Sequence, residues 1–186
     1  MIDLFKLRRD GAAVLESVAA FKEEEIVLNR VFNAPVGLVW DAWTETSLVP
    51  GWWGPKHCSS SIEKMDLREG GRYLKCVRTP GNLEFWSKGV FTEIVEYKSL
   101  VMTDALSDKD GRPVPPSRYG LPDDWPDELL ISVTFAILGG GRTRLTLRHS
   151  DLAGIRAEDR SDLKLGWQQS FDKLEELLAR LVQPSA

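Results

Sequence analysis

The chain has 186 residues, of which 42% are hydrophobic and 28% charged, and a net charge of −4. That balance suits a globular domain and argues against nucleic acid or an anionic membrane surface as the partner. No apolar run approaches the roughly 20 residues of a membrane span, and two cysteines, Cys58 and Cys76, are too few for a disulfide framework.

Residues 1–24 read as an N-terminal extension whose weak helical periodicity breaks at Gly11. They lack a signal peptide's order of positive charge, apolar run and small-residue cleavage site, so a cytoplasmic location is expected. A domain is expected over residues 25–184. Its first stretch, "EIVLNRVF", alternates and is β-branched, which predicts a strand at 25–33. In "NAPVGLVWDAWTET", Asn33 or Ala34 is the expected cap and Pro35 the first helical residue, where its missing N–H costs nothing. Val36, Val39, Trp40 and Trp43 then fall at helical spacing, and Gly37 keeps the helix short. "PGWWGP" at 50–55 puts Trp52 and Trp53 in a turn, where successive side chains cannot share one environment. Trp53 is expected to be the more buried ring, with the other at a cavity mouth.

Strands are predicted at 59–67, 72–79, 83–97, 99–106, 128–138 and 143–150, with turns at "REGG" and "GGGR". Gly89, inside 83–97, suggests a bulge or bend. In 128–138, Leu129, Ile131, Val133, Phe135 and Ile137 share one face; in 143–150, Thr143, Leu145, Leu147 and His149 do. The run 107–127, "SDKDGRPVPPSRYGLPDDWPD", fits no element. Its prolines, with Tyr119, Leu121 and Trp125, predict an ordered flap. Residues 158–182 carry the strongest helix, with Leu163, Trp167, Phe171, Leu174, Leu178 and Leu181 on one stripe. That stripe must lie on the antiparallel sheet.

The order strand, short helices, six strands, long helix is the helix-grip arrangement of the START-like (SRPBCC) superfamily, which includes the birch-pollen-allergen-like proteins. "RVFNAPVGLVWDAWTETSLVPGWWGP" resembles the opening signature of the family named for the activator of heat-shock-protein-90 ATPase. "LREGGRY", "SKGVFTEIVEYKSLVMT", "TRLTLRHS" and "GWQQSFDKLEELL" continue the resemblance in order, across about residues 26–182. The flap resembles an insertion carried by some members. The resemblance implies an α+β fold: a curved antiparallel sheet wrapped around a long C-terminal helix, with two short helices after the first strand. The superfamily includes lipid carriers, hormone receptors and polyketide aromatase/cyclases.

A sheet gripping a helix leaves room for a cavity. Trp52, Trp53, Trp86 and Trp125 are candidates to line or cover it, with Tyr119, His149, Gly166 and Trp167. Gly166, inside the best helix, either permits close packing or opens space beside Trp167. His149 reads as a core histidine bonded to a backbone carbonyl or as a polar anchor for a ligand. Arg78, Glu84, Trp86 and Asp104 are candidate inward polar groups. "HSD" at 149–151 cannot form a Ser-His-Asp triad, because adjacent strand residues face opposite sides. His57 beside Cys58 lacks the further ligands a zinc site needs. No catalytic residue, metal or cofactor is assigned. The first functional reading is binding of a small hydrophobic or aromatic ligand, a binder rather than an enzyme. The alternatives are a cyclase-, aromatase- or hydrolase-like enzyme using the same cavity, and a stress-related interaction module with a chaperone partner or a homodimer contact.

Overall fold

A computed structural model describes residues 25–182. The extension expected over 1–24, and residues 183–184 of the expected domain, lie outside the described residues. The elements in order are β1 (Ile26–Phe32), α1 (Val36–Thr44), a 3-10 turn (Val49–Gly51), β2 (Ser59–Met65), β3 (Arg72–Arg78), β4 (Glu84–Val95) and β5 (Ser99–Ser107). A second 3-10 turn (Pro116–Tyr119), β6 (Leu129–Leu138), β7 (Arg142–Ser150) and α2 (Ala157–Val182) follow. The seven strands form one antiparallel sheet in the order β1-β7-β6-β5-β4-β3-β2. First and last strands pair, with Ile26 opposite His149 and Phe32 opposite Thr143. The curved sheet, the long C-terminal helix and the short helices make the helix-grip fold.

The period-2 pattern decides what the sheet buries. Leu129, Ile131, Val133 and Phe135 of β6 and Thr143, Leu145, Leu147 and His149 of β7 all face the core. Ile137 does not: it is 75% exposed, at the β6–β7 hairpin end beyond the reach of the helices. Trp167, Phe171, Leu174 and Leu178 of α2 close the core from the other side, with Phe171 edge-on to Phe32. Leu181, at the far end of the same stripe, is left 40% exposed. The outer face of α2 is acidic near its middle, and Arg30 of β1 reaches Asp172 (2.7 Å) and Glu175 (3.2 Å) there. Among the described residues no helix is long and apolar enough to cross a membrane.

Local expectations change in four places. Pro35 is the N-cap, extended at φ −64 and ψ 152, and neither Asn33 nor Ala34 caps α1. Its carbonyl accepts the first helical bond from Val39 N–H (3.2 Å). Gly89 stays in register, and the β4 bulge falls between Phe91 and Glu93. Glycine is needed at 89 because a Cβ would run into the Thr103 carbonyl and stand 2.7 Å from the Tyr73 ring. The run 107–127 does carry elements: Ser107 bridges to Pro113, and Gly120 ends the second 3-10 turn at φ 71. The order of burial in "PGWWGP" is the reverse of that expected. Trp52 is wholly buried, whereas Trp53 is only partly so. The indole N–H of Trp52 donates to the Ala42 carbonyl at 2.7 Å, so its polar atom is satisfied inside the core.

Candidate functional site

Between the first half of α2 and strands β3–β5 lies a cavity of two adjoining lobes, about 350 and about 370 Å³. Trp53, Val77, Asp104, Trp125, His149 and Leu163 face both lobes. Four structural features build it. Lys173 of α2 donates to the carbonyls of Trp53, Gly54 and Cys58, each at 3.2 Å, which pins the "WWGP" loop to the helix. Tyr119 anchors the flap: its hydroxyl donates to the Ser107 carbonyl (2.6 Å) and accepts from Trp86 N–H (3.1 Å). The flap then places Leu121, Trp125 and Pro126 over the cavity. Gly166 opens the helix side, since a Cβ there would meet only Pro55, at an ordinary 3.7 Å.

Of the eight residues proposed from sequence, Trp53, Trp125, His149, Gly166 and Trp167 line the first lobe. Trp86 lines the second. Trp52 and Tyr119 are on neither wall. Trp52 is a core plug behind Trp53, its ring 5.2 Å away, and Tyr119 lies behind the wall against Phe85. The close-packing account of Gly166 fails, because the 3.7 Å contact would accept a methyl group. Trp167 belongs to both core and cavity: it is 8% exposed and meets Trp53 edge-on at 5.1 Å.

The polar side chains divide in a way the sequence did not suggest. Arg78 and Glu84 pair with each other on the surface at 2.6 Å, and the Trp86 indole donates to Glu84. Of the three charged candidates only Asp104 turns inward, where Lys75, absent from the candidates, meets it at 3.3 Å. Lys75 is 4% exposed, 3.9 Å above the Trp53 ring. Burial lowers the Lys75 ammonium from its ordinary value, and the Asp104 charge opposes that fall. The Tyr73 hydroxyl shares its proton between the Thr103 carbonyl (2.6 Å) and Asp104 (3.1 Å), and burial raises it well above the usual phenol range. A signal for Lys75 was present: in "RYLKCVR" it alternates with Tyr73 and Val77 on one face.

His149 is 3% exposed, and its partner is not a backbone carbonyl but the Trp167 indole, whose N–H donates to Nδ1 at 3.0 Å. Burial pushes the imidazole down to about 4, with Asp104 opposing and Lys75 assisting. It is therefore neutral near pH 7. Its Nε2 has no hydrogen-bond partner among the described residues. A mostly apolar chamber with a few placed polar groups is the usual composition of a small-molecule site.

Residues 33–179 match the family described as Activator of Hsp90 ATPase homolog 1-like protein. No curated protein matches the chain. A solved structure from Nitrosomonas europaea is 28% identical, with a TM-score of 0.68, covering 86% of this chain and 97% of that one. One from Chromobacterium violaceum is 23% identical at TM-score 0.68, covering 84% and 97%. An AHSA1 protein from Silicibacter pomeroyi is 20% identical at TM-score 0.66, covering 84% and 99%. At these last two identities the likeness shows the fold alone. The sequence match across 33–179, carried on a shared helix-grip fold, means that the chain belongs to the Activator of Hsp90 ATPase homolog 1-like family of the START-like superfamily.

Proposed function

We propose that this protein binds a small, largely apolar ligand, aromatic in part, between α2 and the sheet. The observation that carries the reading is the chamber itself: lobes of about 350 and about 370 Å³ walled by Trp53, Trp86, Trp125 and Trp167. The family generally binds hydrophobic ligands, which supports it. Lobes of this size fall within the roughly 300–1,000 Å³ of small-molecule sites. Four indole rings form part of the walls, and these lose little side-chain entropy when a flat molecule is enclosed.

Native mass spectrometry of the protein purified from its own host tests this. The expected result is a small-molecule adduct on the wild type that is missing from Gly166→Trp, whose indole fills the first lobe. An adduct-free wild type, or an adduct that survives in the variant, would overturn the reading.

A second reading, catalysis in the same chamber, is favoured by one observation. Lys75, Asp104 and His149 bring three polar side chains to the walls from β3, β5 and β7. General acid–base chemistry would need such groups within hydrogen-bond reach of the bound molecule. If this reading holds, the adduct should disappear or change mass on incubation of the wild type but persist unchanged on Asp104→Asn.

A further inference from the structure

We infer that the ligand is an uncharged aromatic molecule carrying an acceptor oxygen, a carbonyl or an ether, and that the His149 Nε2–H donates to that oxygen. The inference rests on the binding reading above and specifies its chemistry.

The proton on Nε2 follows from Trp167. An indole N–H is a donor only, so the Nδ1 it meets at 3.0 Å is an acceptor. A neutral imidazole with an accepting Nδ1 carries its hydrogen on Nε2. That N–H has no partner among the described residues, although His149 is 3% exposed and faces both lobes. Orphaned buried donors are rare and costly, because the group has left water and received nothing in exchange. Among the described residues no acceptor lies within hydrogen-bond distance of Nε2. The Asp104 carboxylate already takes Tyr73 on one oxygen and Lys75 on the other. Nε2 has under 1 Å² of accessible surface. A ligand oxygen therefore reaches it by a shift of the apolar lining, in which Leu163 and the flap's Trp125 border both lobes with His149.

The same walls select against charge. Lys75 and Asp104 neutralise each other on the sheet side. Asp162 of α2 borders the first lobe and repels an anion, while Asp159 beside it is paired with Arg156 at 2.7 Å. A cationic head group, in turn, has no use for an N–H donor.

The test uses two tricyclic probes that differ in one group: 9-fluorenone, with a carbonyl, and fluorene, without it. Affinities are read from quenching of tryptophan emission. Wild type should prefer fluorenone, and His149→Leu should reduce that preference by about fivefold or more, the worth of a buried hydrogen bond. His149→Gln should keep much of it, since its amide can accept from Trp167 and still donate into the cavity. In nitrogen-15 spectra the Nε2–H proton should move downfield with fluorenone and not with fluorene. An equal preference in wild type and His149→Leu, with both probes binding, would overturn this inference and leave the cavity reading standing. If neither probe binds the wild type, both fall.

Discussion

Replacing His149 by glutamine should remove a defined part of the protein's acid sensitivity. In the folded chain the imidazole is held at about 4 instead of the ordinary 6.5, chiefly by burial. Protonation would also put a hydrogen on Nδ1, where the Trp167 indole N–H already points. Two charged groups face it across the chamber, Asp104 from β5 and Lys75 from β3, and they act in opposite directions. The unfolded chain takes up its proton as pH falls below 6.5, while the folded chain resists until about 4. In that window the unfolded state binds more protons. The contribution is thus fully present above pH 6.5 and is lost as pH falls toward about 4. Worked through the linkage relation, the loss between about pH 7.5 and about pH 4.5 is roughly 2.5 kcal/mol. Urea unfolding, followed by tryptophan fluorescence at those two pH values, measures it. Carboxylates titrate in both proteins and cancel in the comparison. The variant should lose less stability on acidification than wild type by about that amount. Parallel losses, or an imidazole that titrates above pH 6 by proton NMR, would refute the reasoning.

Three further predictions concern the groups around it. Gly166→Ala should stabilise the fold by roughly 0.5–1 kcal/mol in denaturant unfolding, because α2 gains helix propensity and the new methyl meets only Pro55. Asp104→Asn should cost roughly 3 kcal/mol by leaving the Lys75 ammonium buried without its counter-charge. The double variant Lys75→Met/Asp104→Leu should recover most of that loss in a double-mutant cycle. Trp52→Ala should cost roughly 3–5 kcal/mol, whereas Trp53→Ala should cost less and chiefly weaken probe binding, as paired unfolding and fluorescence titrations would show.

Local pattern alone was enough for the elements and most of their faces. The three-to-four-residue stripe from Trp167 to Leu178 names α2 and its buried side, and the alternation in β6 and β7 places Leu145, Leu147 and His149 in the core. The "PGWWGP" stretch and its companions carry the family. Periodicity can do this because it encodes which side of an element meets apolar surface. What it cannot encode is the partner that arrives from elsewhere in the chain. Trp52 is the buried ring because the Ala42 carbonyl stands 2.7 Å from its indole nitrogen. Gly89 is glycine because Thr103 and Tyr73 crowd it, not because the strand bulges there. Lys75 sits inside because Asp104, 29 residues away, meets its charge. The free donor of His149 exists only because Trp167 occupies the other ring nitrogen. Tertiary packing alone, by bringing distant polar atoms within hydrogen-bond distance, settled which side chains line the cavity and which polar group was left unpaired beside it.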